Sequence, residues 1–567
     1  YVYNRIEKYH TNRGKTNIVE GRETYDYIVI GSGSSGSVVA SRLSEDKDAT
    51  VLLLEAGGPD NDFRLSAPMF FTKLYKSRFD WSYDSTPQSR MNDNIINSPR
   101  GKVLGGSSSI NAMIYMRGSK YDYDEWEKLG AKGWGWDDVL PYFKKSERNL
   151  NKKDSRFHGT EGEWIISDVE HTEMQKDLRE AISDSLNIPL KDDVNGEDYA
   201  TEGVALSQFN IVDGARFSVS DAFLSNKVLA RENLFVKVWA QVTRILFDEA
   251  DKTKAVGVEV DFVRGHETRK IYANKEIILS AGAFNSPQIL MLSGVGDAED
   301  LKKHNIEVIH DIPEVGKNLH DHLITFVTWV PTNWYDSLHS VELDPRLLVK
   351  AIYDYFFNNK TGPLKHHSIS INAVLKSENA KKNNEPAPDL QFLAFDAVPP
   401  YSPREKMTSL YQTQGGISLI PCILQPKSRG TVTLKSSNYL DDPLIDYNFF
   451  ADRDDEERIV DAWKKAESVA KSKKVSDKLG KRIYVEKDYA NDEELKEQLY
   501  KRYFTMYHPT STLAIGKVVD ERLRVKGLKG LRVADASIMP QVTRGNTNAP
   551  CVMIGEKAAD MIREDNK

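Results

Sequence analysis

The sequence predicts an α/β fold organised around a parallel sheet, and three observations carry that prediction. The apolar run Tyr27–Ile30 breaks into Gly31-Ser32-Gly33-Ser34-Ser35-Gly36, and a helix-compatible stretch, Ser37–Leu43, follows. A second apolar run, Val51–Leu54, closes on Glu55, and a late run, Leu531–Ala534, closes on Asp535. Short apolar runs that alternate with helical segments across glycine-rich turns read as strand–helix–strand units. Within the first unit, Gly31 permits the sharp departure from the strand. Gly33 lets the backbone approach a pyrophosphate, and Gly36 lets the helix pack on the sheet with its first amides facing the phosphates. Glu55 stands 19 positions after Gly36, where an acidic side chain takes the hydroxyls of an adenosine ribose. With no arginine beside it, this acid disfavours a 2′-phosphate and leaves FAD or NAD as the dinucleotide.

Further along, the chain reads as discontinuous. Residues 1–23 are polar and aperiodic, as expected of an arm lying on the surface. From about Asp154 to Ser225 the composition is mixed and loop-rich, with His158–Gly162 as a turn. Leu234–Phe247 alternates like a single strand and feeds strands over Ala255–Val263 and Ile271–Ser280, a return to the first domain. A second body follows, with short strands over Gly416–Leu424 and Thr431–Leu434 and a charged helix near Asp454–Lys471. The expected organisation is a nucleotide domain over 24–155, 226–322 and 505–567, and a substrate domain over 156–225 and 323–504.

At 567 residues the chain is long enough for about three to four domain-sized units, and 40% apolar residues supply sizeable cores. The net charge of −7, with lysines and arginines scattered, argues against a nucleic-acid partner. No apolar stretch of about 18 residues is present, so no membrane span is expected. Cys422 and Cys551 are too few and too far apart for a disulfide framework or a zinc site, and no metal is expected. The chain begins at Tyr1 without methionine and carries one sequon, Asn359-Lys360-Thr361; both lean towards a secreted glycoprotein.

Two longer motifs narrow the reading. Gly101–Asp124 (GKVLGGSSSINAMIYMRGSKYDYD) offers a glycine pair and a hydroxyl run whose backbone can wrap a ligand. In Gly282–Gly296 (GAFNSPQILMLSGVG), Asn285-Ser286-Pro287 is expected to cap a helix that Ser293-Gly294 closes. Both match, position by position, the two signatures of the glucose–methanol–choline oxidoreductase family. The resemblance runs from about Tyr25 to Ile562, and in detail the chain resembles arthropod glucose-dehydrogenase-like members. That resemblance implies FAD, a Rossmann-type FAD domain and a substrate domain on an antiparallel sheet. Besides Gly31, Gly33, Gly36 and Glu55, it implies cofactor contacts from Ser34, Ser35, Ala56, Val103, Gly106, Ser107, Asn111, Val242, Asp535, Ala536 and Asn548. Some relatives link the flavin covalently through a histidine just before the motif's asparagine. Here that position is Ile110, which has no nucleophilic atom, so the FAD is expected to be non-covalent.

Near the carboxy terminus, Tyr507-His508-Pro509-Thr510 precedes a turn at Gly516, and Gly545–Pro550 precedes a helix that Asn548 can cap and whose first turn suits Pro550. Oxidising an alcohol requires a base for the hydroxyl proton while hydride leaves the carbon, and a neutral imidazole suits that task. By resemblance His508 is this base and Asn546 the partner that holds the substrate oxygen. Many relatives place a cysteine and a cation a few residues after the base, where this chain has Leu513 and Ala514. A more apolar wall is therefore expected, better suited to an aromatic or terpenoid alcohol than to a sugar. Phe70, Phe71, Tyr75, His366 and His367 are further candidates for the pocket. The function expected is oxidation of a primary or activated secondary alcohol, with oxygen as acceptor and hydrogen peroxide as product. A quinone-linked dehydrogenase, an FAD-containing hydroxynitrile lyase and a non-catalytic flavin protein are the alternatives.

Overall fold

In the computed structural model the described residues are 23–567 except 155, 198–200, 263–266, 334–336, 359–361, 366, 401–414 and 486–488. The arm up to residue 22, the sequon at Asn359 and His366 lie outside them.

The first sheet grows from Thr24–Ile30 (β1), Val51–Leu54 (β2), Leu234–Lys237 (β3), Gln241–Phe247 (β4), Ala255–Asp261 (β5), Thr268–Leu279 (β6) and Leu531–Val533 (β7). Five of these form a parallel row in the order β3-β2-β1-β6-β7. β6 has two characters along its length. Its polar first half pairs antiparallel with β5, from Thr268 opposite Asp261 to Tyr272 opposite Gly257. Its apolar end, Ile277–Leu279, is buried and takes β7 on that same side. β1 and β2 are likewise apolar runs covered on both faces, as parallel strands require.

The single strand expected over 234–247 is two strands. Trp239, at φ +58°, turns the chain across the end of β2, where Trp239 and Ala240 donate their backbone N–H groups to the carbonyls of Gly57 and Glu55. Alternation continues through this corner, so the period of two does not reveal it. The helix Gly36–Leu43 (α1) follows β1 with every residue buried. A Cβ at position 36 would stand 2.0 Å from the Gly31 carbonyl oxygen, which is why only glycine closes that turn.

The helix Gly282–Leu292 (α2) starts three residues before the cap expected at Asn285. Its first N–H, from Gly282, is taken by the Asp535 carboxylate at 2.8 Å, and the Ser286 hydroxyl donates to the same oxygen at 2.6 Å. A side chain from the end of β7 thus does the capping, which no local pattern shows. Pro287 lies inside α2 and has no N–H for the Ala283 carbonyl; the Thr512 hydroxyl donates to that carbonyl instead, at 2.7 Å. The helix ends, as expected, at Ser293-Gly294, with Gly294 at φ +84°.

The second sheet has eight strands, all antiparallel, with a main path of Leu479–Ile483, Val327–Pro331, Ile417–Ile423, Leu390–Phe395, Ile369–Leu375 and Gly203–Leu206. Leu323–Ile324 pairs with both Ile417–Ile423 and Phe504–Thr505. The charged helix spans Arg453–Val469, and Asp452 caps it by accepting from the Asp454 N–H at 3.0 Å. Its Ile459, Trp463 and Ala466 join the core of this sheet. Thr431–Thr433 pairs with Leu444–Asp446 in a separate ribbon, outside the sheet. The segment 156–225 crosses between the two bodies: Trp164, Ile166 and Val219–Leu224 pack into the first core, whereas Met174, Leu178 and Ile182 pack into the second.

Gly36→Ala is expected to lower unfolding stability by roughly 1–3 kcal/mol, the usual range for overpacking, whereas Gly33→Ala, whose Cβ would meet nothing within 4 Å, leaves the apoprotein's melting unchanged. Chemical denaturation of the two apo variants checks this contrast.

Candidate active site

A cavity opens at the carboxyl ends of β1, β2 and β7, where open α/β sheets bind their ligands, and it reaches under the second sheet. On the first domain's side it is lined by Gly31, Gly33, Ser34, Ser35, Glu55, Ala56, Val242, Asp535, Ala536 and Asn548. Gly106, Ser107, Ile110 and Asn111 line it from the segment that follows Gly101, and His508 and Asn546 line it as well. Two residues named from the sequence lie elsewhere. Gly36 is packed behind the turn, and Val103 is buried with Leu65, Leu74 and Phe79, its carbonyl accepting the Gly106 N–H at 2.7 Å.

The residues present fit a dinucleotide. Gly33 faces open space, and a Cβ on Gly106 would come within 2.7 Å of the Gly33 Cα, so the two glycines keep the backbone bare where a phosphate must come close. The Ser35 hydroxyl and the Asn548 Nδ2 are buried with no hydrogen-bond partner. Such orphaned polar atoms are costly unless a ligand supplies the missing partner. Asn548 is the first residue of the helix Asn548–Asp565 (α3) rather than its cap, and its Oδ1 accepts from the Ser34 hydroxyl at 2.6 Å, which aims the amide nitrogen. The Glu55 carboxylate accepts from the Ser32 N–H, the Ser32 hydroxyl and the Gly57 N–H at 3.0, 2.7 and 2.8 Å. Burial nonetheless pushes its carboxyl above the ordinary value, against those bonds. Two oxygens offer about four acceptor sites, which leaves capacity for a ribose hydroxyl. Asp535 is different: Gly282, Ser286 and both donors of Ser537 occupy its oxygens, so its side chain holds the fold while its backbone and that of Ala536 form the wall.

The chemistry is set by a chain of three hydrogen bonds. His322 Nε2 lies 3.1 Å from the Leu424 carbonyl oxygen, His322 Nδ1 lies 2.9 Å from His508 Nδ1, and His508 Nε2 lies 3.2 Å from Asn546 Nδ2. A carbonyl only accepts, so the hydrogen of neutral His322 sits on Nε2 and its Nδ1 is a lone pair. His508 must then donate from Nδ1, which leaves a lone pair on its Nε2, the atom beside Asn546. Burial, then His322, then the Arg100 guanidinium hold His508 well below its ordinary value, and burial pulls His322 down to about 4. Both rings are neutral at pH 7, and the one unprotonated nitrogen not engaged between the two rings is His508 Nε2. Asn546 Oδ1 is buried without a partner, a second unfilled position at the same spot.

The backbone that presents His508 is held from both sides. Met506 and Thr510 donate their N–H groups to the carbonyls of His322 and His320, at 2.8 and 3.0 Å. Tyr507 between them adopts φ +64°, and the His508 N–H is taken by Asp321 Oδ1 at 2.8 Å. Burial raises the Asp321 carboxyl to about 6. Asn546 hangs on a loop tied down by Asp122, which accepts from the Arg544 N–H at 2.7 Å and pairs with its guanidinium.

Sequence reasoning missed His322 and Asp321. The signal in the sequence is the run His320-Asp321-His322, three consecutive ionisable residues directly before the apolar Leu323-Ile324. Of the pocket candidates, Phe71 and Tyr75 line the cavity, while Phe70 joins a small cluster with Ala67 and Met69. His367 is buried behind the wall, stacked on Phe71 at 5.5 Å, and burial lowers it to about 3. Leu513 and Ala514 are buried and do not line the cavity, Leu513 lying in the first core. The wall is apolar through other residues: Phe71, Ile369, Leu393, Phe395, Ile420 and Phe504.

Residues 25–324 and 426–555 match the amino- and carboxy-terminal family models described as GMC oxidoreductase. The chain is 38% identical over 546 residues to an alcohol dehydrogenase (acceptor) of Pseudomonas putida, with 95% of each chain covered. It is 36% identical over 564 residues to an oxygen-dependent choline dehydrogenase of Sinorhizobium fredii, again with 95% of each covered. A solved formate oxidase variant from Aspergillus oryzae, studied for the modification of its FAD, superposes with a TM-score of 0.88 at 27% identity, over 96% of this chain and 99% of that one. The sheet order, the glycine-lined cavity, the paired histidines and these matches agree, and the chain belongs to the GMC oxidoreductase family.

Proposed function

We propose that this oxidoreductase oxidises a small apolar alcohol, aromatic, terpenoid or similar, to its carbonyl, with a dissociable FAD as the first acceptor and oxygen as the last. The observation that carries the proposal is the unprotonated Nε2 of His508, in the lining of a cavity that shares the apolar wall of Phe71, Ile369, Leu393, Phe395, Ile420 and Phe504. FAD, when bound, supplies the acceptor for the hydride that leaves the alcohol carbon. The residues that would hold it are Gly33, Ser35 and the start of α1 at the phosphates, Glu55 and Val242 at the adenosine end, and Ser107, Asn111, Ala536 and Asn548 along the rest.

The alcohol oxygen would sit beside both His508 Nε2 and the Asn546 amide, replacing the 3.2 Å contact between them. His508 accepts the hydroxyl proton at Nε2, and its Nδ1–H stays bonded to His322, so the imidazolium that forms is bonded on both nitrogens. Asn546 donates from Nδ2 to the oxygen as charge grows there, and the surrounding apolar side chains exclude water, which strengthens both contacts. Among the described residues lining the cavity the acids are Glu55 and Asp535, both on the nucleotide side. A quaternary ammonium such as that of choline would find no carboxylate partner at the reacting end, although choline dehydrogenases are among the relatives. The part of the wall formed by Ile369, Leu393, Phe395, Ile420 and Phe504 offers no side-chain hydrogen bond to a sugar's hydroxyls.

His508→Ala is expected to slow anaerobic flavin reduction by an apolar alcohol by roughly 10²–10⁴-fold, and Asn546→Ala by less, both with normal flavin absorbance. Stopped-flow mixing reads the rate; near-normal reduction in His508→Ala would place the base elsewhere, and cleavage of a cyanohydrin with no flavin bleaching would turn the reading to a lyase. The reduction rate should fall only on acidification. The folded-state value of His508 is depressed, so the neutral base persists across pH 6.5 and is lost below it, and a limb centred at or above 6.5 would contradict this electrostatic account. Acid precipitation should release all the FAD into the supernatant, because Ile110 lines the cavity where some relatives carry the linking histidine. Flavin that stays with the pellet excludes a dissociable cofactor. Oxygen consumption across an alcohol panel tests the last acceptor, and turnover with a quinone alone would assign the dehydrogenase form instead.

A further inference from the structure

The helix Pro345–Phe357 is apolar on two opposite faces. One face, with Ala351 and Tyr355, is buried against Ala67, Met69 and Leu364. The other carries Val349, Ile352, Tyr353, Phe356 and Phe357, exposed by 68, 37, 60, 42 and 77%. These five stand at i, i+3, i+4, i+7 and i+8, one continuous stripe, and Phe63, 43% exposed, extends it with its ring 5.8 Å from that of Phe356. An exposed contiguous apolar patch of this kind marks an interaction surface.

The borders of the stripe say what it meets. Arg346 and Lys350 flank it with side chains 90 and 75% exposed, in surface pairs with Asp344 and Asp354 that contribute little. From Asp344 to Lys365 the sequence carries Arg346, Lys350, Lys360 and Lys365 against Asp344 and Asp354, a net +2 in a chain of net −7, with Lys365 paired to Glu170 at 3.1 Å. An aromatic and aliphatic stripe bordered by cations is the pattern of a helix that lies in an anionic lipid interface. A second copy of the chain fits less well, because a two-fold contact would set this basic border against itself. The patch is also joined to the cavity wall. Phe63 packs on Phe70 with ring centres 6.2 Å apart, and the next residue, Phe71, lines the cavity.

We infer that the protein docks on anionic membrane surfaces through the outer face of helix 345–357 and Phe63. Docking so placed brings the Phe71 part of the cavity wall near the lipid, a position suited to taking up an apolar alcohol dissolved there. This last step rests on the alcohol reading, whereas the docking does not.

The test is co-sedimentation of the holoenzyme with vesicles of phosphatidylcholine alone or with about one-third phosphatidylserine. Wild type is expected to bind the anionic vesicles more tightly, with binding weakened by salt. The double substitution Tyr353→Ser with Phe357→Ser should weaken it by about tenfold or more, since two inserted aromatic side chains are lost. Both residues are exposed and touch neither cofactor nor substrate, so melting temperature and turnover of a water-soluble alcohol should be unchanged. Absence of binding by wild type, or binding indifferent to the double substitution, overturns the inference. So does a concentration-dependent dimer in analytical ultracentrifugation that the substitution abolishes, which would give the face to a second copy. None of these outcomes depends on which alcohol is oxidised.

Discussion

The 2.9 Å contact between Nδ1 of His322 and Nδ1 of His508 is the constraint on which the site depends. Two ring nitrogens at that distance share one hydrogen, and the Leu424 carbonyl decides which ring supplies it. Each partner stands next to a different strand of the second sheet. Leu424 follows the strand Ile417–Ile423, His322 leads into Leu323–Ile324, and His508 follows Phe504–Thr505. The antiparallel pairing of these strands therefore fixes the tautomer of the base as well as its position. Asn546 arrives from the first domain through a loop that Asp122 holds, and the Gln425 amide, beside Leu424, donates to the Val542 carbonyl at 2.8 Å. The two domains meet where the proton has to move.

The first domain is governed by a different requirement, the close approach of bare backbone. Gly33 and Gly106 face each other with no room for a side chain at position 106, and Gly57 lies so near Lys102 that a Cβ there would stand 2.0 Å from its carbonyl carbon. The hydrogen bonds of Glu55 and Asp535 keep these turns in place. A buried carboxylate is expensive unless every oxygen is bonded. Asp535 meets that condition within the protein, with contacts to Gly282, Ser286 and Ser537. Glu55 meets it with acceptor capacity to spare. The contrast separates an acid that builds the wall from one that is available to a ligand.

Much of this was legible in the sequence because the information was local. The turn Gly31–Gly36 needs its glycines for reasons confined to a few residues, and Glu55 stands at the end of an apolar strand. Where the cause was tertiary, the sequence was silent. The cap of α2 comes from Asp535, some 250 positions away, and the corner at Trp239 is set by the end of β2. The apolar wall was foreseen, but at Leu513 and Ala514, which pack inward; Phe71 apart, the residues that form it come from the second sheet, whose faces cannot be assigned before its strands are paired. His508 and Asn546 were legible only through resemblance. His322 was not, because a histidine becomes a positioning residue through a neighbour in space.

Selective nitrogen-15 labelling of histidine, with His508 assigned by comparison with His508→Ala, tests the central claim most directly. The account predicts that His508 in the holoenzyme at pH 7 is neutral, protonated on Nδ1, with an unprotonated Nε2 whose resonance moves when a non-reactive alcohol binds. It also predicts that replacing His322 with phenylalanine abolishes this single-tautomer signature while FAD stays bound. A His508 that carries its hydrogen on Nε2, or is doubly protonated at pH 7, would contradict the arrangement on which the proposed chemistry rests.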